Sequence, residues 1–188
     1  MAGGALPDFV SVKGSPYRIL PPGDYDLTLE QLMQSSLVEG PKRRPRDWNR
    51  PRRRHLVQNL IILVDQLRQV GITEIFVNGS FASDKSRPGD IDGYFACEPF
   101  FFKSGLLADQ LNRRATNKIW TWSDKDRRMD ATTQKRQLPM WHMYHVELFP
   151  CFGELCDIPD ENNQPQTMEQ AFRKTRDTHT PKGIIHLV

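Results

Sequence analysis

What most constrains this chain is the spacing of apolar residues between Arg52 and Val70. Leu56, Leu60, Leu63, Val64, Leu67 and Val70 recur at steps of three and four, the period of a helix that buries one face. Gly71 follows as a C-cap. Such a stripe needs an apolar surface to cover, and the next segments supply one. "TEIFVN", residues 73–78, reads as a short strand of β-formers, and "DIDGYFAC", residues 90–97, as a second. Eleven residues, Gly79 to Gly89, separate the two runs.

The flanking segments read as further helices and strands of one domain spanning 1–188. Residues 1–27 are an extended, Gly- and Pro-containing lead-in that ends in a turn, and a short helix starts at about Thr28 with Leu29, Leu32 and Met33 on one face. Residues 39–51 hold three prolines and read as a basic loop. A short helix is expected from Gly105 to Arg114. Residues 115–139 are polar and give no assignable element. "MYHVELFPCF" alternates Tyr144, Val146 and Leu148 against His145, Glu147 and Phe149, the pattern of a half-buried strand. After the polar loop "DIPDENNQPQ", a helix of about Thr167 to Arg176 and a final apolar "GIIHLV" complete the chain. With 188 residues and no internal repeat, the elements make one α/β (α+β) domain.

Composition limits the setting. No apolar run approaches the roughly 18 to 20 residues of a membrane span, and mean hydropathy is −0.60. The N-terminus lacks the charged-then-apolar order of a secretion signal, so the expected compartment is the cytoplasm. Three cysteines, Cys97, Cys151 and Cys156, are too few for a disulfide framework. The run "KRRPRDWNRPRRR", residues 42–54, carries eight Lys or Arg against one Asp. It is suited either to phosphates of a nucleic acid or nucleotide, or to a solvated loop entering a helix.

Chemistry concentrates between Gly79 and Asp92. Residues i and i+2 of a strand share a face, so Asp90 and Asp92 point the same way. Two adjacent carboxylates repel unless a cation joins them, and Mg²⁺, which takes one or two carboxylates together with substrate phosphates, is the natural partner. Gly79 permits close backbone approach, while Ser80 can offer a hydroxyl and an N–H to a phosphate oxygen. Turn chemistry alone would also explain an Asp-x-Asp after Pro-Gly.

The combined pattern, Gly-Ser, a spacer and then Asp-x-Asp on the next strand, resembles the nucleotidyltransferase superfamily typified by DNA polymerase beta. Three segments together, "LPPGDYDLTLEQL", "VNGSFASDKSRPGDIDGYF" and "FRKTRDTHTPKGIIHL", are similar to a group of short prokaryotic and phage nucleotidyltransferase-like proteins. The resemblance implies a small mixed sheet with helices packed on it and a third carboxylate on a later strand. Glu147 is the residue that matches, where many relatives have Asp. It also implies two Mg²⁺ ions held by Asp90, Asp92 and Glu147, with an acceptor hydroxyl, on protein or RNA (tRNA included), attacking the α-phosphorus of a nucleoside triphosphate such as ATP. Ser80 and backbone N–H groups would hold the leaving phosphates. Lys85 and Arg87 in the spacer either neutralise them or form a solvated loop, and Lys182 in "TPKGIIHL" either returns a cation to the site or only begins a last strand. His145 lines the pocket or has a local role. Trp120, Trp122 and Trp141 stack on a base or fill the core. The alternative to an enzyme is a non-catalytic, antitoxin-like or defence-associated protein, with a toxin-like partner, that keeps the nucleotidyltransferase fold and acts by binding.

Overall fold

The computed structural model describes residues 6–188; the first five residues of the expected lead-in lie outside them. The molecule is mixed α+β, with one five-stranded mixed sheet carrying several helices. In chain order the strands are β1 (Asp24–Leu27), β2 (Ile75–Asn78), β3 (Ile91–Ala96), β4 (Arg128–Met129), β5 (Arg136–Gln137), β6 (Val146–Cys151), β7 (Leu155–Cys156), β8 (Gln166–Thr167) and β9 (Ile184–Leu187). The helices are α1 (Leu29–Gln34), α2 (Ser36–Glu39), α3 (Arg50–Gln69), α4 (Pro99–Lys103), α5 (Leu106–Arg114), α6 (Pro139–Tyr144) and α7 (Met168–Phe172). The main sheet runs β1-β9-β2-β3-β6, while β4 with β5 and β7 with β8 form two-stranded ribbons.

Local chemistry explains where the helices begin. Thr28 and Gln31 exchange side-chain bonds in a capping box ahead of α1. Asn49 accepts from the Arg52 N–H at 2.9 Å, and Pro51 occupies the first turn of α3. The stripe of α3 is fully buried at Leu56, Leu60, Leu63, Val64 and Leu67. It covers the sheet face made by Ile75, Val77, Ile91, Phe95, Val146, Leu148 and Ile185. Gly93 keeps that face flat, since a Cβ there would stand 2.4 Å from the Phe76 carbonyl oxygen.

The opposite face is covered only in part. Tyr94, Cys151 and Ile184 form a small second cluster there with Phe76, Met168 and Phe172 of α7. The rest of that face, around the start of β3 and β6, carries the acidic residues.

Several elements differ from expectation. Asp24–Leu27, assigned to the lead-in and its turn, is a strand because β9 pairs with it in parallel along its whole length. α3 starts at Arg50, inside the expected basic loop, since the Asn49 cap and Pro51 favour the helical turn. "MYHVELFPCF" is not strand throughout: Tyr144 ends α6 and His145 is left-handed at φ 52° and ψ 42°. The tail helix stops at Phe172, and residues 173–182 fold back in a tight turn closed by the Lys174–Pro181 bridge and the Lys182 N–H to Arg173 carbonyl bond at 2.8 Å. Among the described residues no helix is long and apolar enough to cross a membrane.

Candidate functional site

The strand register sets the acidic residues side by side. Asp92 stands opposite Asn78 on β2 and opposite Glu147 on β6, and Asp90 precedes β3 by one residue. The Ile91 N–H donates to the His145 carbonyl at 3.0 Å, which ties the start of β3 to the end of α6. Three carboxylates from adjacent segments thus come together beside the start of β3 and β6.

Each carboxylate is held differently. The Trp141 indole N–H donates to Asp90 Oδ2 at 2.8 Å, and this Trp is itself buried in α6. Glu147, only 7% exposed, accepts from the Leu138 N–H at 3.1 Å through Oε1, and Arg127 Nη1 lies 3.6 Å from the same oxygen. Asp92 packs against backbone: Gly79 has φ +71°, and a Cβ on it would fall 2.1 Å from Asp92 Oδ2. The close approach expected of Gly79 is therefore made to Asp92 itself.

Burial, followed by the charges of Asp90 and Glu147, pushes the Asp92 carboxyl up to about 7, against the pull of Arg176 and Lys182. Burial likewise raises Glu147, opposed by the Leu138 N–H and Arg127. On the other side of the balance, burial pushes the Lys182 ammonium down to about 8, with Asp92 holding it up and Arg176 acting against it. The charge of the tail cation thus acts on the second aspartate. Asn78 fixes this crossing, because its amide donates to the carbonyls of Phe172 and, at 3.2 Å, Gly183.

The spacer behaves less uniformly. Gly79–Ala82 is a single 3₁₀ turn, with half-buried Ser80 in it and the Ser80 carbonyl accepting from Ser83 Oγ at 2.6 Å. Lys85 holds its ammonium 5.7 Å from the centre of the Tyr17 ring, so no contact draws it to the carboxylates. Arg87 is exposed and its charge acts on Arg52, whose guanidinium donates to the Gly89 carbonyl. His145 does adjoin the site, with its ring edge-on to Trp141 at 4.7 Å. Burial and Arg52 lower its pKa while Asp90 raises it. Trp120 and Trp122 are structural: their indole N–H groups donate to Gln66 at 2.6 Å and to the Leu148 carbonyl at 2.8 Å.

The basic run is likewise split. Arg53 is fully buried and donates to the carbonyls of Leu37, Phe81, Ser83 and Lys85 at 2.7 to 2.9 Å, with its guanidinium 4.0 Å over the Trp48 ring. It therefore clamps the Gly-Ser loop and is unavailable to a nucleic acid. Arg50 and Arg54 pair with Glu39 at the surface. Trp141, read in sequence as a base-stacking or core residue, is instead the hydrogen-bond partner of Asp90; Arg127, Asn78 and Arg176 were not singled out, because their roles depend on partners in other segments.

Among the described residues, no three His, Cys, Asp or Glu side chains converge closely enough to hold a metal ion. The donor chemistry fits a hard cation best at Asp90 and Asp92, two oxygen donors that repel one another. Glu147 fits less well, since the Arg127 guanidinium already stands 3.6 Å from its Oε1 and supplies a positive charge there. One family model, described as a family of unknown function (DUF6932), matches residues 13–188. No curated protein and no solved structure matches the chain.

Proposed function

The chain belongs to this family of unknown function, and from its geometry we propose that it is a Mg²⁺-dependent nucleotidyltransferase. It would move a nucleotide from a nucleoside triphosphate to a hydroxyl of protein or RNA. The observation that carries the reading is the register of β2, β3 and β6, which lines up Asn78, Asp92 and Glu147, with Gly79 against the Asp92 carboxylate and Asp90 one residue before β3. A hard cation at Asp90 and Asp92 would neutralise triphosphate oxygens and polarise the α-phosphorus.

The residues of the chain supply the rest. Trp141 holds Asp90 in one orientation through its 2.8 Å hydrogen bond, so the pair is organised before a ligand arrives. Ser80, next to Gly79, can offer its hydroxyl to a phosphate oxygen. Lys182 and Arg176, whose charges already act on Asp92, are the cations available to the leaving pyrophosphate. In the transfer, the acceptor oxygen bonds to the α-phosphorus, its proton passes to solvent, and the bond to pyrophosphate breaks.

Incubating the protein with each radiolabelled nucleoside triphosphate, Mg²⁺ and either bulk tRNA or candidate proteins tests the proposal. Label should move to one acceptor class, and Asp90→Asn or Asp92→Asn should lower the rate by about 10²-fold or more. The hold of Leu138 and Arg127 on Glu147 favours a second reading, a protein of antitoxin or defence type that binds nucleotide without transferring it. Nucleotide binding with no transfer from any of the four triphosphates would select that reading.

A further inference from the structure

We propose that the carboxylate set takes a single divalent cation, at Asp90 and Asp92, and that Arg127 supplies the second positive charge, held beside Glu147. The inference rests on the nucleotidyl-transfer reading of the site and departs from the two-ion arrangement expected from the sequence.

The surroundings of Glu147 are built for a guanidinium. Arg127 follows the 3₁₀ turn Asp124–Asp126, and its Nε donates to Asp124 Oδ1 at 2.9 Å. Its Nη1 lies 3.5 Å from the Arg136 carbonyl on β5 and 3.6 Å from Glu147 Oε1, ion-pair distance on the carboxylate side. Arg136 in turn donates to the Arg127 carbonyl at 3.0 Å and the Asp124 carbonyl at 3.3 Å, so the ribbon of β4 and β5 braces the arginine from both sides. Its side chain remains 24% exposed.

Glu147 cannot easily be recruited away from this arrangement. It is 7% exposed, and the oxygen that faces Arg127 also accepts from the Leu138 N–H. A second divalent ion at this carboxylate would sit against a like charge, the Arg127 guanidinium held 3.6 Å from Oε1. The Glu147 side chain is long enough to reach both the Leu138 N–H and Arg127 with one oxygen. A guanidinium keeps its charge at any physiological pH and offers a planar fork to phosphoryl oxygens, which suits it to the charge that develops at the α-phosphorus.

The test is the number of ions bound by the full chain, with Mn²⁺ as the probe. Free Mn²⁺ is followed by electron paramagnetic resonance, with and without one equivalent of a non-hydrolysable nucleoside triphosphate analogue. The expected count is one Mn²⁺ per chain in both cases. Asp92→Asn should weaken it by about 10- to 100-fold, whereas Glu147→Gln should leave it within about threefold. Arg127→Ala uncovers Glu147 and should admit a second ion; a count that stays at one there removes Arg127 from the role.

Two ions on the wild-type chain, the second lost in Glu147→Gln, would overturn the inference and leave the transferase reading standing. A single ion lost in Glu147→Gln also overturns it. One ion bound without nucleotide transfer to any acceptor keeps the assignment of charges and removes the transferase. No Mn²⁺ at all sinks both.

Discussion

Asp92 and Gly79 define the site at the level of single residues, and both make sharp predictions. A side chain at 79 meets a left-handed backbone and the Asp92 carboxylate together. Gly79→Ala should therefore cost about 1–3 kcal/mol in chemical denaturation and displace Asp92 as well. The Asp92 carboxyl lies at about 7 instead of its ordinary 3.8, so the folded chain retains a proton that the unfolded chain gives up. The stability this group contributes is full below its unfolded pKa and is lost as pH rises through about 7. Thermal melts of the metal-free protein should show wild type losing stability relative to Asp92→Asn across that window, and Mg²⁺ at neutral pH should reverse the loss. A wild-type and variant pair whose melting temperatures run parallel in pH would show that Asp92 titrates normally. The Gly-Ser and Asp-x-Asp residues were legible because their spacing along one strand-turn-strand unit is a local property. The tie of Trp141 to Asp90 and the approach of Arg127 to Glu147 were not, since a hydrogen bond across the 51 residues from Trp141 to Asp90 leaves no mark in the spacing.

Among the elements, α3 does more than cover the sheet. Its apolar stripe was readable from periodicity alone, but the role of its first turn was not, because Arg53 looks in sequence like any member of a basic run. Four carbonyls from α2 and the Gly-Ser loop converge on its guanidinium, and burial pushes its pKa down to about 9. Arg53→Ala leaves those carbonyls without their donor and should cost about 3 kcal/mol or more, with Arg53→Lys recovering only part. Arg54, in an exposed pair with Glu39 at 2.6 Å, should cost about 0.5 kcal/mol at most when replaced by Ala. Equal losses at the two positions in urea melts would overturn this division of roles. One consequence bears on RNA binding: replacing Arg52, Arg53 and Arg54 together tests folding before it tests nucleic-acid contact.

For the whole molecule, the order of strands makes the last residues central. β9 lies between β1 and β2, parallel to the first and antiparallel to the second, and the segment leading into it holds Lys182, whose charge acts on Asp92. Removing residues 183–188 deprives β1 of its partner and opens the apolar face that Ile185 and Leu187 bury. The truncated chain should lose cooperative unfolding by circular dichroism, and a truncation that melts like the full chain would show the sheet to be stable without β9. Closing the sheet this way brings together residues from both ends of the chain, which is why tail chemistry and central chemistry meet at one face.

By itself the sequence determined the α+β class, the long helix, the two central strands and the acidic pair, all of which follow from periodicity and short-range spacing. Only the tertiary structure decided that Asp24–Leu27 is a strand, that Arg53 is a buried clamp and that Glu147 is bound to Leu138 and faced by Arg127. Each of these depends on partners far away in the chain, and a polar residue looks the same in sequence whether it faces water or a carbonyl.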